Sequence, residues 1–208
     1  MKKTNNSEDK IIQAALNEFS TFGFAGARVD AIAEKAKVNK AMIYYHFKSK
    51  EKLYEKILLD VVSNIYNQLQ EVSQEEGPAL DIFYSIINKY MSIIKGFDNK
   101  IFPIMLRELI EGGKFFRKII VPNLIEPILA LIIPILNKAK EQGVIRDINP
   151  YFTFLQIVGS VVFVNVIRTT IKKSSIEKIF LEEGSVEKYN ENLFTILKNG
   201  IELKGGQA

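Results

Sequence analysis

The chain has 208 residues, 47% of them hydrophobic and 25% charged, which excludes a disordered or fibrous protein and allows one substantial core or a small domain fused to a larger one. It contains no cysteine, which excludes a disulfide framework, a thiolate metal site and a cysteine nucleophile, and points to a reducing, cytoplasmic setting. The net charge of +4 sits wholly in the first quarter: residues 1–56 hold 11 Lys/Arg against 7 Asp/Glu, whereas residues 57–208 hold 17 of each.

The opening MKKTNNSEDK has no apolar run behind its first lysines and reads as a polar tail, not a secretory signal. KIIQAALNEFSTF, residues 10–22, then places Ile11, Ile12, Ala15, Leu16, Phe19 and Phe22 at helical spacing, and Gly23-Phe24-Ala25-Gly26 ends the run. VDAIAEKA, residues 29–36, repeats the pattern in miniature, and its alanines suit a close crossing of two helices. A turn at Lys37-Val38 follows. Asn39 is a good N-cap for a third helix, KAMIYYHF, and Ser49 for a fourth starting at Lys50. Two short helices separated by a tight turn match the helix-turn-helix arrangement, whose second helix enters the major groove of DNA.

The third helix carries the chemistry. On a helical wheel Ile43 and Phe47 lie one turn apart and face the core with Val38, leaving Lys40, Ala41, Met42, Tyr44, Tyr45 and His46 largely outward. Tyrosine hydroxyls, histidine and lysine are competent phosphate donors, and Ala41 and Met42 can lie against base edges or thymine methyls. Around it, residues 35–56 carry seven lysines against Glu51 and Glu55. A localised basic patch of this kind is the electrostatic footprint of a polyanion. The alternative is a helical module that turns the same basic face to a protein or membrane surface; such a binder would show no preference among DNA sequences.

The stretch Ile11 to Leu58 resembles the DNA-binding domain of the TetR/AcrR family of transcriptional regulators. The resemblance rests on the alanine and phenylalanine ending of helix one, Gly23, the Val29, Ile32, Ala33 helix and the block Tyr44-Tyr45-His46-Phe47-Lys48-Ser49-Lys50-Glu51, all in register. It implies that Lys40, Ala41, Met42 and Tyr44 meet bases or their methyls, and that Tyr45, His46 and Lys50 hold phosphates. Two positions depart from the pattern. Arg28 stands where the family usually has Thr or Ser, so a longer cation replaces a hydroxyl contact. Lys37 occupies a turn position commonly held by Gly, which in left-handed backbone costs roughly 1 kcal/mol.

The rest of the chain reads as helices over about 50–72, 79–95, 99–111, 115–142, 151–173 and 186–203, without strand alternation or repeats. The resemblance implies a small-molecule pocket here, with Tyr66, Tyr90, Phe102, Met105, Phe116, Phe152 and Gln156 as candidate lining residues. Pro122, Pro127 and Pro134 predict a bent helix over 119–142. YFTFLQIVGSVVFVNVI, residues 151–167, has no charge, yet Gln156, Ser160 and Asn165 interrupt it, so it reads as a buried helix and not a membrane span. The last two helices resemble the pair that forms the family's dimer interface, with Val161, Val164, Asn165, Arg168, Phe194 and Leu197 as candidate contacts.

The parts of an enzyme are missing. One histidine, already on the third helix, leaves no Ser-His-Asp set and no paired metal-binding histidines, and no phosphate-binding glycine loop is present. Glu108 and Glu111 lie on adjacent turns and are expected to make solvated salt links with Arg107 and Lys114. The sequence therefore predicts an all-α protein, with a three-helix DNA-binding domain at 1–50 and a larger effector-binding and dimerisation domain at 51–208. Its expected role is a cytoplasmic homodimeric repressor, without metal or cofactor, released from a palindromic operator by a small, apolar effector.

Overall fold

The computed structural model describes residues 6–97, 100–111 and 113–203. In chain order the helices are α1 (Asn6–Gly26), α2 (Val29–Ala36), α3 (Lys40–Phe47), α4 (Lys50–Ser73), α5 (Ala79–Lys95), α6 (Ile101–Ile110), a π-helical segment (Phe116–Ile125), α7 (Glu126–Glu141), α8 (Pro150–Thr170), α9 (Glu177–Leu181) and α10 (Ser185–Ile201). Among the described residues no strand forms, and an antiparallel bridge joins Ile145 to Glu202. The predicted all-α class holds. Residues 1–5 of the predicted tail, Gly112 and the glycines at 205 and 206 lie outside the described residues.

The chain divides into two compact units. One runs up to Asn67 and takes in Gly96–Pro127; the other comprises Gln68–Lys95 and the residues from Ile128 onward. The first unit is built on the apolar faces of α1, α2, α3 and the start of α4, where Ile11, Phe19, Ile32, Ile43, Leu53 and Leu58 are each fully enclosed. At its centre four aromatic rings interlock. Tyr54 meets Phe19 at 4.7 Å and Phe115 at 4.9 Å edge-on, and Phe115 meets Phe24 at 4.8 Å. Edge-to-face pairs contribute about 0.5–1.5 kcal/mol each beyond their buried area, so this knot fixes the first turns of α4 against both α1 and the segment after α6.

Glu108 is buried in that unit because the backbone needs it. Glu108 lies 8% exposed and accepts hydrogen bonds from the Tyr54 hydroxyl at 2.8 Å and the Phe115 N–H at 3.2 Å. Among the described residues the solvated links expected for Glu108 do not form, because the turn after α6 leaves the Phe115 N–H to be satisfied and the carboxylate seven residues back reaches it. Arg107 instead donates to the Thr21 carbonyl at 3.0 Å, and Lys114 pairs with Glu51 at 3.1 Å. Lys118 pairs with Glu55, which also holds Lys52 at 2.9 Å.

Around Pro122, where the sequence predicts a bend, the helix changes type. Pro122 has no N–H to give, and the ten residues around it adopt a π-helix that ends with the Glu126 N–H on the Val121 carbonyl. In the second unit, α5 buries Phe83, Tyr84, Ile86, Ile87 and Met91. Tyr84 stacks edge-on against Phe194 at 5.9 Å and donates to Glu202 at 3.0 Å. The break expected between 173 and 185 contains the short α9, and α8 ends at Thr170. Phe116–Glu141 and Pro150–Arg168 are long and apolar enough to cross a membrane, a test that core helices of water-soluble proteins also pass.

Candidate nucleic-acid interface

The turn between α2 and α3 is set by backbone bonds of the Schellman type: Val38 N–H reaches the Ala33 carbonyl at 3.0 Å and Lys37 N–H the Glu34 carbonyl at 3.1 Å. That closure needs a left-handed residue, and Lys37 supplies it at φ 55°, ψ 44°. Asn39 then caps α3, its side-chain oxygen accepting from the Ala41 N–H at 2.9 Å. Ser49 Oγ accepts from the Lys52 N–H at 3.1 Å and so caps α4. Both caps fall where the sequence places them.

With the turn fixed, the wheel on α3 resolves as expected. Ile43 and Phe47 are buried, while Lys40, Ala41, Met42, Tyr44 and Tyr45 are exposed, Tyr45 at 71%. Some side chains on and around this face are tethered to the protein. Lys40 is 2.7 Å from Asp30 on α2, and that hydrogen bond raises the lysine's pKa and lowers the aspartate's. Lys48 bonds the Tyr45 carbonyl at 3.2 Å and stands over the Tyr45 ring. His46 is half-buried, its Nε2 3.2 Å from Ser7 Oγ at the start of α1. Asp30 and Ser7 were not legible as partners, since neither is near α3 in sequence.

Arg28 is exposed at the N-cap of α2 and its side chain makes no cap there. Its backbone N–H donates instead to Glu18 at 3.3 Å, and the same carboxylate, 3% exposed, binds Lys35 at 2.5 Å. Glu18 thus anchors the beginning of α2 to α1. Lys50 behaves differently from a surface cation. Its ammonium donates to the Phe24 carbonyl at 2.8 Å and the Ala27 carbonyl at 3.0 Å, and sits 4.7 Å above the Phe24 ring. It ties the end of α1 to the start of α4, close behind α3.

The candidate pocket residues fall into both compact units. Met105 and Phe116 pack against the core of the first, to which Tyr66 and Phe102 also belong as half-buried side chains. In the second, burial pushes the Tyr90 hydroxyl pKa up, whereas Phe152, at 65%, and Gln156 are exposed on α8. The candidate dimer contacts separate as well. Val161 is buried, Val164 and Arg168 follow it along the inward stripe of α8, Asn165 bonds back to the Val161 carbonyl at 2.8 Å, and Phe194 and Leu197 are half-buried. The exposed stripe of α8 is Phe152, Gln156, Gly159 and Phe163, spaced one helical turn apart, with Leu155 beside it.

Residues 11–57 match the family described as "Bacterial regulatory proteins, tetR family". The chain is 39% identical over 69 residues to the HTH-type transcriptional repressor NicS of Pseudomonas putida, covering 33% of this chain and 32% of NicS. It is 34% identical over 87 residues to the biofilm operon icaADBC HTH-type negative transcriptional regulator IcaR of Staphylococcus aureus, covering 40% of this chain and 45% of IcaR. The match thus spans about a third of one curated relative and under half of the other. The fold extends further: the transcriptional regulator FadR of Bacillus subtilis, solved in complex with stearoyl-CoA, superposes with a TM-score of 0.71 at 19% identity, covering 93% of this chain and 99% of FadR. Residues 11–57 thus carry a helix-turn-helix segment similar to that of the tetR family of bacterial regulatory proteins, and the chain as a whole shares the all-helical fold of FadR.

Proposed function

We propose that the protein is a sequence-specific DNA-binding repressor in which α3 reads the major groove. The observation that carries this reading is the surface of α3: Ile43 and Phe47 hold it in the core, while Lys40, Ala41, Met42, Tyr44 and Tyr45 stand outward on a helix fixed at both ends. Lys40, Tyr44, Tyr45, His46 and Arg28 supply donors for phosphates or base edges, and Ala41 and Met42 offer apolar contact to bases. Lys50 supports the reader from behind through the Phe24 and Ala27 carbonyls. NicS and IcaR, named as a repressor and a negative regulator, support repression as the outcome.

Labour divides along the chain, with residues 1–50 for DNA and residues 51–208 for an effector and a second copy of the chain. The partner copy docks on the outward stripe of α8, where Phe163 is 64% exposed, together with Ile196 of α10. Two-fold symmetry then calls for a palindromic operator. The effector is a small apolar molecule taken up by the helical domain, as the stearoyl-CoA complex of FadR illustrates for a related fold. The protein works in the cytoplasm, outside any membrane and without catalysis.

The test is selection of duplexes from a random DNA pool by the purified protein, then titration of the winner at two salt concentrations. Enrichment of a palindrome, bound about 10³-fold or more above random DNA, supports the reading. Binding without sequence preference that fades uniformly with salt hands the basic face to the surface-binding alternative.

A further inference from the structure

The second compact unit holds a cleft of about 460 Å³ where the last turns of α8 meet α9 and the first turns of α10. Its size lies within the range of small-molecule sites. Three cations line it, Arg168, Lys178 and Lys188, against one carboxylate, Glu182. Lys188 and Glu182 satisfy each other at 2.7 Å. Among the described residues neither Arg168 nor Lys178 makes a salt bridge; Glu187 pairs with Lys95 and attracts Arg168 only through its charge.

Arg168 is held rigidly all the same. Its Nη1 donates to the Phe180 carbonyl and to Ser185 Oγ, both at 2.9 Å, and Ser185 Oγ donates on to the same carbonyl at 2.8 Å. Two neutral oxygens fix the guanidinium without neutralising it. Its Nε and Nη2 donors meet no acceptor among the described residues. A half-buried guanidinium with its orientation already set is a preorganised fork for a carboxylate, because the ordering cost is met before the ligand arrives. Beside it, Ile179, Phe180 and Tyr189 give the cleft apolar walls.

We propose that this cleft binds a small aromatic or short-chain carboxylate, its charged end between Arg168 and Lys178 and its body against Ile179 and Tyr189. The site lies on the inward stripe of α8, so the outward face offered to a second copy is separate from it. It does not depend on the DNA-binding reading, and its test needs no DNA.

The experiment is a ligand-detected NMR titration of the full chain with benzoate, with benzyl alcohol and inorganic phosphate run in parallel. Benzoate is expected to bind with a Kd on the order of 1 mM, benzyl alcohol and phosphate at least about tenfold more weakly. Lys178→Gln, at an exposed position, is expected to weaken benzoate about threefold, and Arg168→Gln about tenfold or more. Lys52→Gln, in the other compact unit, is expected to change nothing. Arg168 also braces Phe180 and Ser185, so the Lys178→Gln result decides if Arg168→Gln fails to fold. The proposal is overturned if the alcohol or phosphate binds as well as benzoate, if Lys178→Gln binds benzoate unchanged, or if no benzoate binding appears up to about 10 mM.

Discussion

Tyr54 on α4 donates its hydroxyl hydrogen to Glu108 on α6 across 2.8 Å, at a point where both side chains are buried. Burial, reinforced by the Glu108 bond, pushes the Tyr54 hydroxyl far above its ordinary pKa, so it remains a donor throughout the neutral range. Tyr54→Phe removes that donor and leaves a buried carboxylate oxygen unsatisfied, which is expected to cost about 1–3 kcal/mol. Urea unfolding measures it, and a midpoint equal to the wild type would show that Glu108 has found another partner.

Lys50→Met keeps much of the aliphatic stem but loses the bonds to the Phe24 and Ala27 carbonyls. Two partly buried acceptors lose a charged donor, and stability is expected to fall by about 1–2 kcal/mol. DNA affinity should fall alike for every sequence, because the loss loosens the seat of α3 and not its reading surface. A variant with wild-type thermal stability would mean that the Lys50 ammonium does not brace the junction of α1 and α4.

Lys37→Gly relieves the left-handed strain at φ 55°. Because glycine also enlarges the freedom of the unfolded chain, the net gain expected is about 0.5–1 kcal/mol, with Lys37→Asn gaining less. The readout is the denaturation midpoint of each variant; a loss of stability in both would mean that the lysine side chain itself supports the turn.

Hydrogen bonds from Lys118 and then Lys52 hold the Glu55 carboxyl below its usual pKa of 4.5. A carboxyl with a depressed folded pKa stabilises the fold fully above its unfolded value and loses that contribution as pH falls through the folded value. The stability gap between wild type and Glu55→Gln is therefore expected to be widest near neutrality and to close below about pH 4.5. Unfolding curves over a pH series test it, and a gap that widens toward acid would reverse the sign.

On the proposed pairing through α8, Phe163→Glu places a charge on the outward stripe and is expected to shift a dimer to monomer in sedimentation velocity, with the helical circular dichroism intact. Val161→Ala, on the inward stripe, is expected to lower stability by roughly 1–3 kcal/mol and leave the dimer in place. A dimer unaffected by Phe163→Glu would move the interface elsewhere.

The helix-turn-helix was readable because its signals are local. Asn39 and Ser49 sit one residue before their helices, and the burial of Ile43 and Phe47 follows from spacing alone. Partnerships across the chain were not. Nothing in the sequence around Glu108 announces Tyr54, 54 positions away, and the exposed run near Lys50 gave no hint that its ammonium turns inward to Phe24. The two stripes of α8 were hard to separate for a different reason. A helix apolar on nearly all sides has no polar face to mark the outside, so Val161 and Phe163 look equivalent until packing distinguishes them.

His46 is the only histidine in the chain, which also lacks tryptophan and cysteine, and its ring sits on α3 against Ser7. The protein consequently carries one native imidazole, with a single Hε1 resonance, on the helix proposed to read DNA. Once any purification tag is removed, that lone proton signal is a label-free reporter of α3, and a single introduced cysteine or tryptophan would add a second probe free of background.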